Sequence, residues 1–184
     1  MTEIKKTSIP GVLEILPRIF EDPRGYFFES FRQDWFKAEG IEENWVQDNQ
    51  SSSKKGTIRG LHFQRSPYAQ AKLVRVIQGR VLDVAVDLRE GSSTFGKSVV
   101  VELSAEKNNQ LYIPRGFAHG FSVLEDSIFA YKCSNYYHKE SEGGILWQDP
   151  DLGINWEVRE PTISEKDEVW PTLQEFIDRE GSLK

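Results

Sequence analysis

Between residues 45 and 135 short runs with the character of extended chain follow one another at regular intervals, and in the clearest of them apolar and polar side chains alternate with a period of two. The runs cover residues 45–53, 57–64, 71–78, 80–88, 97–103, 109–113, 118–123 and 127–135, and Gly56, Gly79, Gly91, Gly96 and the stretch 114–116 punctuate them. Within 81–88 the alternation is clear, with Leu82, Val84, Val86 and Leu88 on one face and Asp83 and Asp87 on the other. An aromatic run over 25–31 precedes a helical pattern over 33–39 that Gly40 closes, and helical spacing returns only over 172–180. Many short strands with glycine turns predict an all-β protein, a sandwich or barrel with a few short helices. No linker, repeat or low-complexity segment divides residues 1–184, so one domain is expected.

Composition narrows the setting. A chain of 184 residues, 38% hydrophobic and 12% aromatic, is large enough for one good core and unlike a disordered chain. No apolar stretch approaches the roughly 20 residues of a membrane span. The charged opening residues have no apolar run behind them, so no signal peptide is expected. The single cysteine, Cys133, leaves no internal disulfide and no cysteine-built zinc site, which fits a reducing cytoplasm. A net charge of −6 disfavours a nucleic-acid binder with a broad basic face. A small anionic ligand needs only a few Arg and Lys side chains focused in a cleft.

Three histidines, His62, His119 and His138, are available for proton transfer or metal binding. Pro114-Arg115-Gly116-Phe117-Ala118-His119 matches the second, PxGxxH-type motif of the cupin jelly rolls. Metal-binding cupins pair that histidine with an earlier His-x-His, but here the corresponding place reads Gly60-Leu61-His62-Phe63-Gln64. With glutamine in place of the second imidazole, no metal and no other cofactor are expected. His119 reads equally well as a strand histidine satisfied by hydrogen bonds or as a ligand contact.

Several segments then carry a specific resemblance: residues 20–29 (FEDPRGYFFE), 46–51 (VQDNQS), 56–64 (GTIRGLHFQ), 70–76 (QAKLVRV), 131–137 (YKCSNYY) and 163–167 (ISEKD). In this order the chain resembles the dTDP-4-dehydrorhamnose 3,5-epimerase family over about residues 9–171. The resemblance implies an antiparallel, cupin-like jelly-roll barrel, a dTDP-sugar substrate and a homodimer. It also implies a reaction. A ketone at C4 of the sugar acidifies the hydrogens at C3 and C5, a base removes one, and an acid returns a proton on the opposite face. Such chemistry needs a base titrating near neutrality, a donor or cation at the enolate oxygen, and a second proton source.

By resemblance His62 is the base, Asp167 its partner and Tyr131 the general acid. An imidazole titrates near neutrality, and an aspartate on its other nitrogen sets the tautomer. Lys72 shares a face with Val74 and Val76, which points it inward, where a lysine must find a charge or reach solvent. It fits the sugar's developing oxyanion. Arg24 and Arg59 match diphosphate contacts; Glu29, Gln47, Asn49, His119, Glu142 and Lys166 match other substrate contacts; Tyr137 matches the residue that stacks on thymine. Read without the family, these are solvated polar groups, barrel aromatics and a snorkelling lysine. Ideal alternation sets Arg59 and His62 on opposite faces although both must reach one ligand, so a bulge or twist is expected at Gly60. A relative that epimerises a single carbon, and a non-catalytic sugar-nucleotide-binding jelly roll, are the alternatives.

Overall fold

A computed structural model describes residues 2–184. Its strands are β1 (Glu3–Lys6), β2 (Leu13–Leu16), β3 (Phe20–Asp22), β4 (Gly25–Phe27), β5 (Gln47–Ser53), β6 (Ile58–Gln64), β7 (Lys72–Asp87), β8 (Ser98–Ser104), β9 (Gln110–Ile113), β10 (Phe117–Cys133) and β11 (Glu142–Gly144). Helix α1 spans Gln33–Ala38 and α2 spans Leu173–Glu180, the latter opened by a reciprocal capping box between Thr172 and Glu175. Every strand pairing is antiparallel, which is the expected jelly roll.

Two long strands organise the barrel. β7 and β10 pair along nearly their whole length, from Phe117 opposite Asp87 to Cys133 opposite Lys72. The expected strands 71–78 and 80–88 are therefore one strand, as are 118–123 and 127–135. Gly79 stands where the glycine pattern predicts a break between strands, but the chain bends there without leaving the sheet. At its positive φ a Cβ would lie 2.3 Å from the Asp126 carbonyl oxygen, so only glycine lets the facing chain approach. Register shifts in β10 between Val123 and Phe129 match this bend. On one side of it β7 pairs with β8 and β10 with β6; on the other β7 pairs with β9 and β10 with β5. The two long strands thus pass from one sheet of the barrel to the other.

The barrel interior holds Val74, Val76, Val81, Ala85, Leu103, Leu111, Phe121 and Phe129. Val84, Val86 and Leu88 face the opposite way, into a second cluster with Leu61, Trp156 and Phe176 of α2. A third cluster, around Phe36 of α1, covers Leu13, Leu73 and Tyr112. The alternation seen over 81–88 is real, yet its polar face is not solvated: Asp83 and Asp87 are completely buried. Both faces of β7 are covered, one by the opposite wall and one by the C-terminal segment. The hairpin β3–β4 stands apart as its own two-stranded sheet, with Tyr26 and Phe27 exposed. The aromatic strand it contains is shorter than the expected 25–31. No helix of the described residues is long and apolar enough to cross a membrane.

Candidate active site

Strand β6 sets the site's geometry. Arg59 lies opposite Phe121 of β10, while His62 lies opposite His119. Three steps along β6 therefore match two along β10, so β6 carries one extra residue. That bulge puts Arg59 and His62 on the same, inward side, as anticipated, and turns Leu61 outward into the apolar cluster under α2. Gly60 makes it possible: its φ is +125°, and a Cβ would sit 2.5 Å from Gly120 Cα.

Asp167 reaches His62 from 105 residues away. The segment carrying it is tied to the start of β6, where the Ile58 amide donates to the Thr162 carbonyl at 3.1 Å, and to the chain after β11, where Leu146 donates to Pro171 at 2.8 Å. Asp167 Oδ1 lies 2.6 Å from His62 Nε2 and accepts from Trp170 Nε1 at 3.2 Å, while Oδ2 accepts from the Gly60 amide at 3.3 Å. Burial pushes the Asp167 carboxyl up, but the bonds from His62, Gly60 and Trp170 outweigh it and hold the carboxyl below its ordinary range. With Nε2 engaged by Asp167, Nδ1 is the ring nitrogen left to accept a proton, and His62 lines the cleft.

The cleft is built of two adjoining cavities of about 310 and 280 Å³ that share His62, Lys72, Tyr131 and Glu142. Lys72 opens β7 and Tyr131 lies on β10, opposite Val74 of β7 and Asn49 of β5. Burial raises the Tyr131 phenol, so it stays protonated at neutral pH and can donate. Burial lowers the Lys72 amine, and Cys133, Asp83 and Glu142 pull the other way. His119, beside His62 on the neighbouring strand, directs Nε2 to the buried Asp83 carboxylate at 2.9 Å, and burial pushes its imidazole down. The hydrogen-bonded reading of His119 holds, since its ring is satisfied by a carboxylate, and the ring also lines the cavity. A larger groove of about 350 Å³ around Asp48, Arg75 and Lys132 has no histidine and no buried carboxylate, so volume alone does not locate the chemistry.

Polar side chains form the rim. Arg59 donates to Ser53 Oγ at 2.9 Å and borders the cavity. Glu142 receives Lys166 Nζ at 2.6 Å and the Tyr137 hydroxyl at 3.1 Å. Gln47 bonds Asn49 at 3.0 Å and accepts from the Tyr137 amide at 3.0 Å, which fixes the loop presenting the exposed Tyr137 ring. Gln64, which stands where a metal-binding cupin has histidine, is buried and accepts from the His138 amide at 3.0 Å. Arg24 and Glu29 are not in the cleft of their own chain. Arg24 pairs with Asp22 on the β3–β4 hairpin, and Glu29 pairs with Arg32. Sequence reasoning missed Asp83, whose only signal was its place on the polar face of an alternating strand, and Trp170, whose only signal was a large aromatic three residues after Asp167 in a polar run.

The chain is similar to known proteins over nearly its whole length. A family model described as dTDP-4-dehydrorhamnose 3,5-epimerase matches residues 6–175. A protein of that name from Shigella flexneri is 54% identical over 175 residues, covering 94% of this chain and 95% of its own. The crystal structure of the Legionella pneumophila dTDP-6-deoxy-D-glucose-3,5-epimerase in complex with dTDP-4-keto-L-rhamnose is similar at a TM-score of 0.91 with 48% identity, over 95% of this chain and 94% of that one. The 3'-monoepimerase ChmJ of Streptomyces bikiniensis, in complex with dTDP-quinovose, is similar at 0.87 with 37% identity, over 96% and 90%.

Proposed function

Because the chain belongs to the dTDP-4-dehydrorhamnose 3,5-epimerase family, we propose that it converts dTDP-4-dehydro-6-deoxy-D-glucose to dTDP-4-dehydro-L-rhamnose with the side chains that line the cleft. It is an isomerase of dTDP-sugars. The observation that carries the assignment of roles is the His62–Asp167 contact at 2.6 Å in a cleft that Tyr131 and Lys72 also line.

His62 Nδ1 removes the hydrogen at C3 or C5, and Asp167 stabilises the imidazolium that results. Negative charge collects on the C4 oxygen, where the Lys72 ammonium meets it, a contact worth on the order of 3 kcal/mol in the transition state. Tyr131 returns a proton on the opposite face. Nothing in this sequence calls for a metal, since the cation at the oxyanion is supplied by the chain. Arg59 holds the diphosphate, a planar guanidinium being able to engage two phosphate oxygens. His119 contacts the sugar, Tyr137 stacks on the base, and Gln47, Asn49, Glu142 and Lys166 complete the nucleotide end of the site.

The protein acts as a homodimer in a cytoplasmic setting, which suits its lone, buried Cys133. The dimer accounts for Arg24 and Glu29. If these bind substrate yet lie outside their own cleft, they serve the cleft of a second copy. The exposed Phe20, Tyr26 and Phe27 of the β3–β4 hairpin supply the apolar surface for that contact.

The likeness to ChmJ keeps single-carbon epimerisation as a second reading, since the same base and acid serve both. NMR of dTDP-4-dehydro-6-deoxy-D-glucose incubated with the protein in D2O separates them. Deuterium at both C3 and C5 is expected. Deuterium at one carbon means a monoepimerase, and at neither a binding protein.

A further inference from the structure

We propose that Trp170 is a positioning residue for the His62–Asp167 dyad, its indole N–H holding the carboxylate oxygen on which the base depends. The proposal rests on the dyad's role as read above. Asp167 Oδ1 is shared between two donors, His62 Nε2 at 2.6 Å and Trp170 Nε1 at 3.2 Å, while Oδ2 takes only the Gly60 amide. The second donor on Oδ1 stops the carboxylate from turning its other oxygen to the imidazole, and so fixes the line along which the ring is held.

The indole is itself held from both sides. Its ring meets His62 edge-on, with centroids 6.3 Å apart. Gly144 of β11 lies opposite His62 in the sheet, and a Cβ there would come within 2.6 Å of the indole. The next residue, Pro171, accepts from the Leu146 amide at 2.8 Å. Glycine at 144 therefore leaves the space that the indole fills.

The N–H also helps to keep Asp167 ionised. Burial opposes the charge, and the Trp170 bond is one of those that overcome it. Other charged or titratable groups facing the dyad are Arg59 from β6, Lys72 from β7, Tyr131 and His119 (with Asp83 behind it) from β10, Glu142 from β11, and Lys166, whose Nζ lies 5.9 Å from the indole centroid. Among the described residues, none of these donates a hydrogen bond to Asp167.

Trp170→Phe keeps an aromatic ring against His62 and removes the N–H. The expected result is a kcat roughly tenfold lower, the scale of one bond to a charged group, with KM changed by less than about twofold. In the same variant the Asp167 carboxyl, followed by its 13Cγ resonance in the ligand-free protein, should protonate at higher pH than in the wild type. A folded variant with unchanged kcat, or with an unmoved Asp167 midpoint, overturns the proposal. His62→Asn is assayed alongside: if it keeps turnover, the dyad reading itself fails, whereas an inactive His62→Asn beside a fully active Trp170→Phe refutes only the role of the indole. Should Trp170→Phe not fold, the wild type still decides. With 15N-labelled tryptophan, the Trp170 indole proton should be protected from exchange and shifted downfield, and Asp167→Ala should abolish both. An indole signal indifferent to Asp167→Ala overturns the proposal.

Discussion

Replacing Asp167 by asparagine removes one charge and leaves the shape almost untouched. Three donors converge on this carboxylate: His62 Nε2 and Trp170 Nε1 on one oxygen, the Gly60 amide on the other. An asparagine must put its NH2 on one of those sides. If it faces His62, the ring is driven to the other tautomer and Nδ1 can no longer accept a proton. If it faces Gly60, two N–H groups oppose each other in a buried place, which costs about 1–3 kcal/mol of stability. Either way the imidazolium formed in the reaction loses its counter-charge. At a charge separation of about 4 Å and an effective dielectric near 20, that loss is about 4 kcal/mol, or roughly 10³ in rate. The hydrogen bonds Asp167 accepts all come from protein groups, so KM should change little. Initial rates of inversion at saturating substrate, followed by NMR, measure kcat, and thermal unfolding measures the stability cost. A folded Asp167→Asn protein that loses less than about tenfold in kcat would refute the argument that the carboxylate stabilises the charged base.

Three further outcomes follow from the same geometry. In Tyr131→Phe the enolate still forms, because base and oxyanion contact remain, but the proton for the opposite face is gone. The ratio of solvent exchange to inversion, read by NMR in D2O, should rise, and a variant losing both equally would remove Tyr131 from the role of second proton source. Dialysis against a strong chelator should leave turnover unchanged; activity lost and then restored by a divalent ion would contradict the lysine-based account of the oxyanion. Acid stability should depend on Asp87. Burial pushes its carboxyl up, but Arg89, Ser92 and Thr94 prevail and hold it at about 2. A depressed carboxyl stabilises the fold above its unfolded pKa of about 3.9 and loses that contribution as pH falls toward 2. Asp87→Asn should thus cost on the order of 2 kcal/mol at pH 7, with a smaller difference from wild type near pH 2 in denaturant titrations.

What the sequence determined by itself is local. A period of two and frequent turn glycines specify an all-β chain, because side chains on successive strand residues must face opposite sides. The segments around His62, Tyr131 and Asp167, taken in order with the others, carry the resemblance to the family that the comparisons show. Even the bulge at Gly60 was legible, because Arg59 and His62 cannot share a face in an unbroken strand. Tertiary structure decided what depends on opposing surfaces. Gly79 looks like a strand end but is the bend of a longer strand, a difference set by the Asp126 carbonyl across from it. Alternation puts Asp83 on a polar face, yet the barrel wall and the C-terminal segment bury both sides of β7 and give it to His119. Asp167 stands in a run of charged residues that reads as surface, and only the pairing of its segment with β6 and with the chain after β11 carries it to the imidazole. Trp170 becomes meaningful only once Gly144, 26 residues earlier in the chain, is seen to leave room for its ring. Burial is a property of the facing surface, which a pattern along one strand does not contain.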